Sequence, residues 1–148
     1  MSEAILKQLL RDRQLDKKIH VESAGIESPV GRETIEIIKK LCKAYGSDVS
    51  QHRSRQLTKT IIEKATIVFC LAKNHEEVIR GAFPEFASKV VLLKEFDQLR
   101  LPKDSSVADP IGMPEKQYVA CFKEIEHEIN RVLPTLEHRL HKALPVHR

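Results

Sequence analysis

The 148-residue chain predicts an α/β protein, a three-layer Rossmann-like parallel sheet flanked by helices. Three observations carry that reading. Short apolar runs at Thr66–Leu71 (TIVFCL) and Lys89–Leu93 (KVVLL) suit strands buried on both faces. Between them lie segments whose apolar residues recur at helical spacing. The resulting order is helix, strand, helix, short helix, strand, helix, strand, helix, an alternation that a parallel sheet with crossover helices requires.

Each element has its own signal. Ile5, Leu6, Leu9 and Leu10 mark a helix from Ser2 to about Arg13, with Ser2 as its cap and Glu3 favourable in the first turn. Lys18–Ser23 (KIHVES) alternates as a strand does, and Gly25 breaks it. Ile35, Ile38, Leu41, Cys42 and Tyr45 line one face of a helix that Gly46 ends. Thr58 caps a short helix to Lys64, and Asn74 caps another to about Phe83. A long loop from Phe96 to Met113 leads to the last helix, which opens near Pro114. Tyr118, Phe122, Ile125, Ile129 and Val132 form its apolar face, and Pro134 kinks or ends it. The sheet so read has three strands and no strand leading into the first helix, where a doubly wound sheet wants one.

Composition narrows the function classes. The length suits one domain over residues 1–148 with a basic tail from about 135 to 148, and no repeats or linkers divide it. No stretch approaches the roughly 18 to 20 apolar residues that span a bilayer. Arg11, Arg13, Lys17 and Lys18 interrupt every early apolar run, unlike a signal peptide. Cys42, Cys70 and Cys121 make no pairing framework, which points to a reducing compartment and hence the cytoplasm. A net charge of +4 sits largely in the tail, and aromatics are only 5%, so no nucleic-acid platform is visible. No membrane partner is expected either, and composition carries no signal for an oligomeric state.

Asp109-Pro110, in the loop before the last helix, carries the chemistry. An aspartate held by a proline suits a general acid that protonates a leaving group as a phosphate is cut. An Asp-Pro pair alone is more often a turn. Such an acid needs a nucleophile and a phosphate cradle of backbone N–H groups at a helix N-terminus. Cys42 and Cys70 fall on core-facing positions, and Cys121 falls on a helix with no phosphate loop before it. All three cysteines read as structural. His138 and His141 lack further ligands for a zinc site, and no metal or other cofactor is expected. His52–Arg55 reads as a loop held by salt bridges more than as a substrate contact. Ile26, Glu27 and Ser28, at the edge where such sheets bind ligands, suit a substrate wall.

Taken together, several segments in order resemble the low-molecular-weight protein tyrosine phosphatase family, which includes bacterial protein arginine phosphatases. They are Met1-Ser2-Glu3-Ala4, Ser23-Ala24-Gly25, His52-Arg53-Ser54-Arg55-Gln56-Leu57, the Thr66–Leu71 run, and Asp109-Pro110 with the final helix. The resemblance implies a phosphorylated protein substrate, Asp109 as general acid and base, and a phosphocysteine intermediate. Ile26, Pro110 and Ile111 then fall at the substrate. It further implies a strand and a cysteine-five-arginine loop ahead of Met1, so the chain as given reads as truncated and inactive alone. The competing expectation is a natural chain that lost catalysis and kept a phosphatase-like binding scaffold. Truncation is favoured because a central strand, with the pairing it provides, would be missing along with the loop. Family members commonly place an aromatic residue after Asp-Pro, and here Ile111 stands there. Ser28-Pro29-Val30-Gly31 and Lys94-Glu95-Phe96 look more like the arginine-phosphatase branch, which tilts the expected substrate toward phosphoarginine without excluding phosphotyrosine.

Overall fold

The computed structural model describes residues 1–27 and 29–143. Five α-helices and two strands follow one another: α1 (Ser2–Asp12), α2 (Glu36–Ala44), α3 (Lys59–Lys64), β1 (Val68–Cys70), α4 (Lys73–Ala82), β2 (Val90–Leu92) and α5 (Glu115–Ala143), with a 3₁₀ helix over Pro84–Lys89. The strands pair in parallel, Val68 opposite Val90 and Cys70 opposite Leu92. Leu93 N–H extends the ladder to the Cys70 carbonyl at 2.9 Å.

Alternation along the strands builds a core on each face of the sheet. Val68, Cys70, Val90 and Leu92 point to a cluster with Ile62 of α3 and Ile79 of α4. Ile67, Phe69, Leu71, Val91 and Leu93 point the other way, against α1, α2 and α5 through Ile5, Cys42, Phe122, Ile125 and Ile129. This is the three-layer α/β arrangement expected from runs apolar at every position. Tyr118, Phe122, Ile125, Ile129 and Val132 are all buried, as the helical period requires. Gly46 ends α2 with φ +94°, a left-handed conformation that favours glycine, and Ser47 N–H bonds the Cys42 carbonyl at 2.8 Å.

Four expectations change. Residues 18–23 form no strand: Ile19 and Val21 turn inward and His20 and Glu22 outward, yet no ladder partner adjoins them among the described residues. Alternation selects faces, whereas a strand needs a neighbour to exchange hydrogen bonds with. The capping position of α1 is Met1, and Ser2 lies inside the helix. Asn74 lies inside α4, where Ser106 Oγ instead accepts from the Lys73 N–H at 3.0 Å. The stretch read as a tail continues α5 through Pro134 to Ala143. A proline inside a helix costs on the order of 3 kcal/mol. Packing on both sides of it offsets this: Val132 and Leu133 are buried, Leu136 and Leu140 pack beside Leu10 and Leu15, and Arg13 pairs with Glu137 at 3.0 Å. Ser28, His147 and Arg148 lie outside the described residues.

Candidate active site

Asp109 stands on a loop fastened to the carboxyl ends of both strands. Val107 N–H donates to the Leu71 carbonyl at 2.7 Å, prolonging the edge of β1. Ser106 Oγ takes the Lys73 amide at the start of α4. Buried Ser105 donates to Glu95 Oε1 at 2.5 Å. Lys94 Nζ donates to the Ser106 carbonyl at 2.8 Å and pairs with Glu124 of α5. Pro110 is buried, so the exposed Asp109 lies between two anchored neighbours, Val107 and Pro110.

Local turns then set the carboxylate. Asp109 Oδ1 accepts from the Ile111 N–H at 3.0 Å, while Oδ2 has no hydrogen-bond partner among the described residues. Met113 N–H closes a turn on the Pro110 carbonyl at 2.9 Å. The third residue of that turn is Gly112 with φ +74°, where a Cβ would be strained. A carboxyl with one oxygen pinned and the other free is oriented to give or take a proton at a fixed place.

The Asp109 charge is felt at Cys121 of α5. Burial chiefly pushes the Cys121 thiol up, the charges of Glu124 and Asp109 push it further, and the α-amino group of Met1 pulls it down. Burial likewise raises Cys42, eased by the same amino group, and raises Cys70 to about 11. All three cysteines are buried thiols, poor nucleophiles for want of thiolate.

Beside the amino end of α1 lies a cleft of about 450 Å³, lined by Met1, Glu3, Lys7, Ser23, His52 and Arg55 among others. Glu3 is its centre: Oε2 accepts from the Ser23 N–H at 2.9 Å and its hydroxyl at 2.5 Å, Oε1 takes Lys7 at 2.6 Å, and His52 Nδ1 stands 3.8 Å away. Burial alone would raise the Glu3 carboxyl, but the Lys7 and Ser23 hydrogen bonds together hold it below the usual range. Arg55 donates to the Ser23 carbonyl at 2.8 Å and pairs with Glu22 at 3.0 Å. Arg53 pairs with Glu33 at 3.2 Å, and the Ser54 hydroxyl joins Pro29 to Arg32. The 52–55 segment is thus tied by ion pairs and hydrogen bonds, as its sequence suggested. Sequence reasoning missed Glu3 as the tie to Ser23, and missed Lys94 and Ser106 as anchors of the Asp109 loop.

The residues expected at the substrate, Ile26 and Ile111, occupy different settings. Ile111 is 76% exposed at the tip of its turn. Ile26 is half-buried against the cluster of Ile62 and Val90, just after Gly25 bridges Gln56.

Comparison with known proteins bears on this geometry. The family model described as low molecular weight phosphotyrosine protein phosphatase matches residues 1–143. A protein-arginine-phosphatase of Geobacillus stearothermophilus is 35% identical over 129 residues, 87% of this chain and 84% of the relative. The solved YwlE arginine phosphatase from Geobacillus stearothermophilus aligns with a TM-score of 0.84 at 32% identity, over 99% of this chain and 92% of that one. A low molecular weight protein tyrosine phosphatase from T. tengcongensis aligns at 0.81 with 28% identity, over 90% and 88%.

Proposed function

The chain belongs to the low-molecular-weight phosphotyrosine protein phosphatase family, and from that premise we propose that it is a hydrolase of phosphorylated proteins with Asp109 as general acid and base. The observation that carries this is the Asp109-Pro110 loop, fastened at the carboxyl end of β1 with one carboxylate oxygen free. In the first step a cysteine thiolate attacks phosphorus, the bond to the tyrosine oxygen or arginine nitrogen breaks, and Asp109 gives that atom its proton. In the second, Asp109 takes a proton from the water that attacks the phosphocysteine, the P–S bond breaks, and phosphate leaves. Burial of Pro110 keeps the carboxyl in place through both steps, and Ile26 and Ile111 flank the substrate.

The nucleophile and its arginine belong to a cysteine-five-arginine loop that no part of this sequence supplies, so the 148 residues alone are inactive. Joined to such a loop ahead of α1, they form the acid half of the site. Phosphoarginine is the favoured substrate group and the cytoplasm the favoured place of action. Phosphoarginine carries no phenol ring for an aromatic wall to flank, and aliphatic Ile111 stands at the exposed tip of the turn. The test is turnover of an activated aryl phosphate by the purified chain. None is expected above a buffer blank, and turnover abolished by Asp109→Ala would overturn the assignment of the nucleophile.

The burial of all three thiols favours a second reading, a phosphatase-like scaffold that binds without hydrolysis. Chromatography and melting separate the two. Among the described residues the sheet has only two strands, and so small a sheet is expected to self-associate or melt early. A sharp, reversible, monomeric melt favours the scaffold.

A further inference from the structure

Lys94 leaves the end of β2 and reaches two other elements at once. Its ammonium donates to the Ser106 carbonyl at 2.8 Å and pairs with Glu124 on α5. The Lys94 side chain is only 13% exposed, whereas that of Glu124 is 38% exposed. Ser106 is also the residue whose hydroxyl caps α4 through the Lys73 amide, and the next amide, Val107 N–H, completes the edge of β1. Lys94 therefore draws together β2, α4, α5 and the loop three residues ahead of Asp109, and among the described residues it makes no hydrogen bond to Asp109 itself.

We infer that Lys94 is the positioning residue of the general acid: by holding the Ser106 carbonyl against Glu124, it sets where the Asp109 carboxyl stands. The inference rests on the reading of Asp109 as the acid, and it adds the side chain that aims it. Ser105, bonded to Glu95, sets the height of the loop over β2, and Val107 sets its register on β1. Neither bond reaches α5. Only the Lys94–Glu124 pair couples the loop to that helix among these anchors. Removing the ammonium leaves the Ser106 carbonyl without its charged donor and lets the loop slide along α5. Displacement of a catalytic group by about 1 Å can cost roughly 100-fold in rate.

Two measurements test this. Lys94→Met keeps the apolar stem and removes the charge, and the partly exposed Glu124 can take water in its place. In the 148-residue chain, amide exchange of Val107 and Lys73 should quicken by about tenfold or more in Lys94→Met, while the β1–β2 ladder amides keep their protection. Unchanged exchange at both amides would overturn the clamp. In the chain extended by a strand and cysteine-five-arginine loop, Lys94→Met should slow poor leaving groups roughly 10- to 100-fold and activated aryl phosphates little. Lys94→Arg should recover part of the loss. That dependence on leaving group is the mark of a misplaced acid, and a merely structural defect slows both substrates alike. If Asp109→Asn discriminates between leaving groups and Lys94→Met does not, the positioning role is wrong and the acid stands. If Asp109→Asn itself fails to discriminate, the acid reading falls and the positioning role with it.

Discussion

Residues 68–70 and residues 19–24 are both tied into the fold, and different forces hold them. In β1 each residue meets a partner in β2, and the adjoining Asp109 loop is tied down by the Val107 and Lys73 amides. Residues 19–24 have no ladder, and at their end the Glu3 carboxylate grips Ser23 while the Arg55 guanidinium grips its carbonyl. Backbone pairing does not titrate. A segment held by a carboxylate does, so the two regions should answer differently to truncation, acid and salt.

Truncation under the ladder has the largest expected effect. Ile62 is fully buried against Cys70, Val90 and Leu92, and Ile62→Ala should cost about 2 to 5 kcal/mol. Urea unfolding followed by circular dichroism measures it, and a loss below about 1 kcal/mol would mean that the ladder, and not the layer beneath it, carries this region. Glu3→Ala comes next. Hydrogen bonds to charged groups contribute roughly 1.5 to 3 kcal/mol. The variant should lose about that much and speed amide exchange at Ser23 while sparing the β1–β2 ladder, and exchange that quickens in both places would erase the distinction.

Acid should reproduce the Glu3 result without a mutation. Folding holds this carboxyl below its ordinary value of 4.5, so the stability it contributes is complete above that value and is lost as the pH falls through the depressed one. The stability difference between the parent and Glu3→Gln should therefore narrow as the pH falls below the ordinary value of 4.5. A constant difference would assign the effect to packing. The smallest effect is expected at the exposed Lys40–Glu115 pair, 3.7 Å apart between α2 and α5. Lys40→Ala should change stability by no more than about 0.5 kcal/mol, and still less in high salt.

The same division explains what was legible in the sequence. The α5 face was legible because a strong helical period and burial agree at Tyr118, Phe122, Ile125, Ile129 and Val132. The Thr58 cap was legible because its partner, the Ile61 amide, is three residues away. The Asn74 cap failed because the acceptor for α4 comes from Ser106, far along the chain. Pro134 does not end α5, because local propensity yields to Leu133, Leu136 and Leu140 packing beside α1. Alternation in residues 18–23 told inside from outside and was silent on pairing, which depends on a neighbour. At the site, Asp109-Pro110 and Ile111 could be picked out as a motif. The anchors Lys94, Ser106 and Val107 could not, because each acts through a long-range bond to a backbone group.

The proposed acid role of Asp109 meets its most direct test in the leaving-group dependence of Asp109→Asn, measured in the chain extended by a strand and cysteine-five-arginine loop. A lost general acid typically costs about 10² to 10⁴ in rate. The expected result is a loss in that range on phosphotyrosine and phosphoarginine, a much smaller one on an activated aryl phosphate, and an unchanged melting profile. Full rate on both phosphotyrosine and phosphoarginine in the Asp109→Asn variant would contradict the account.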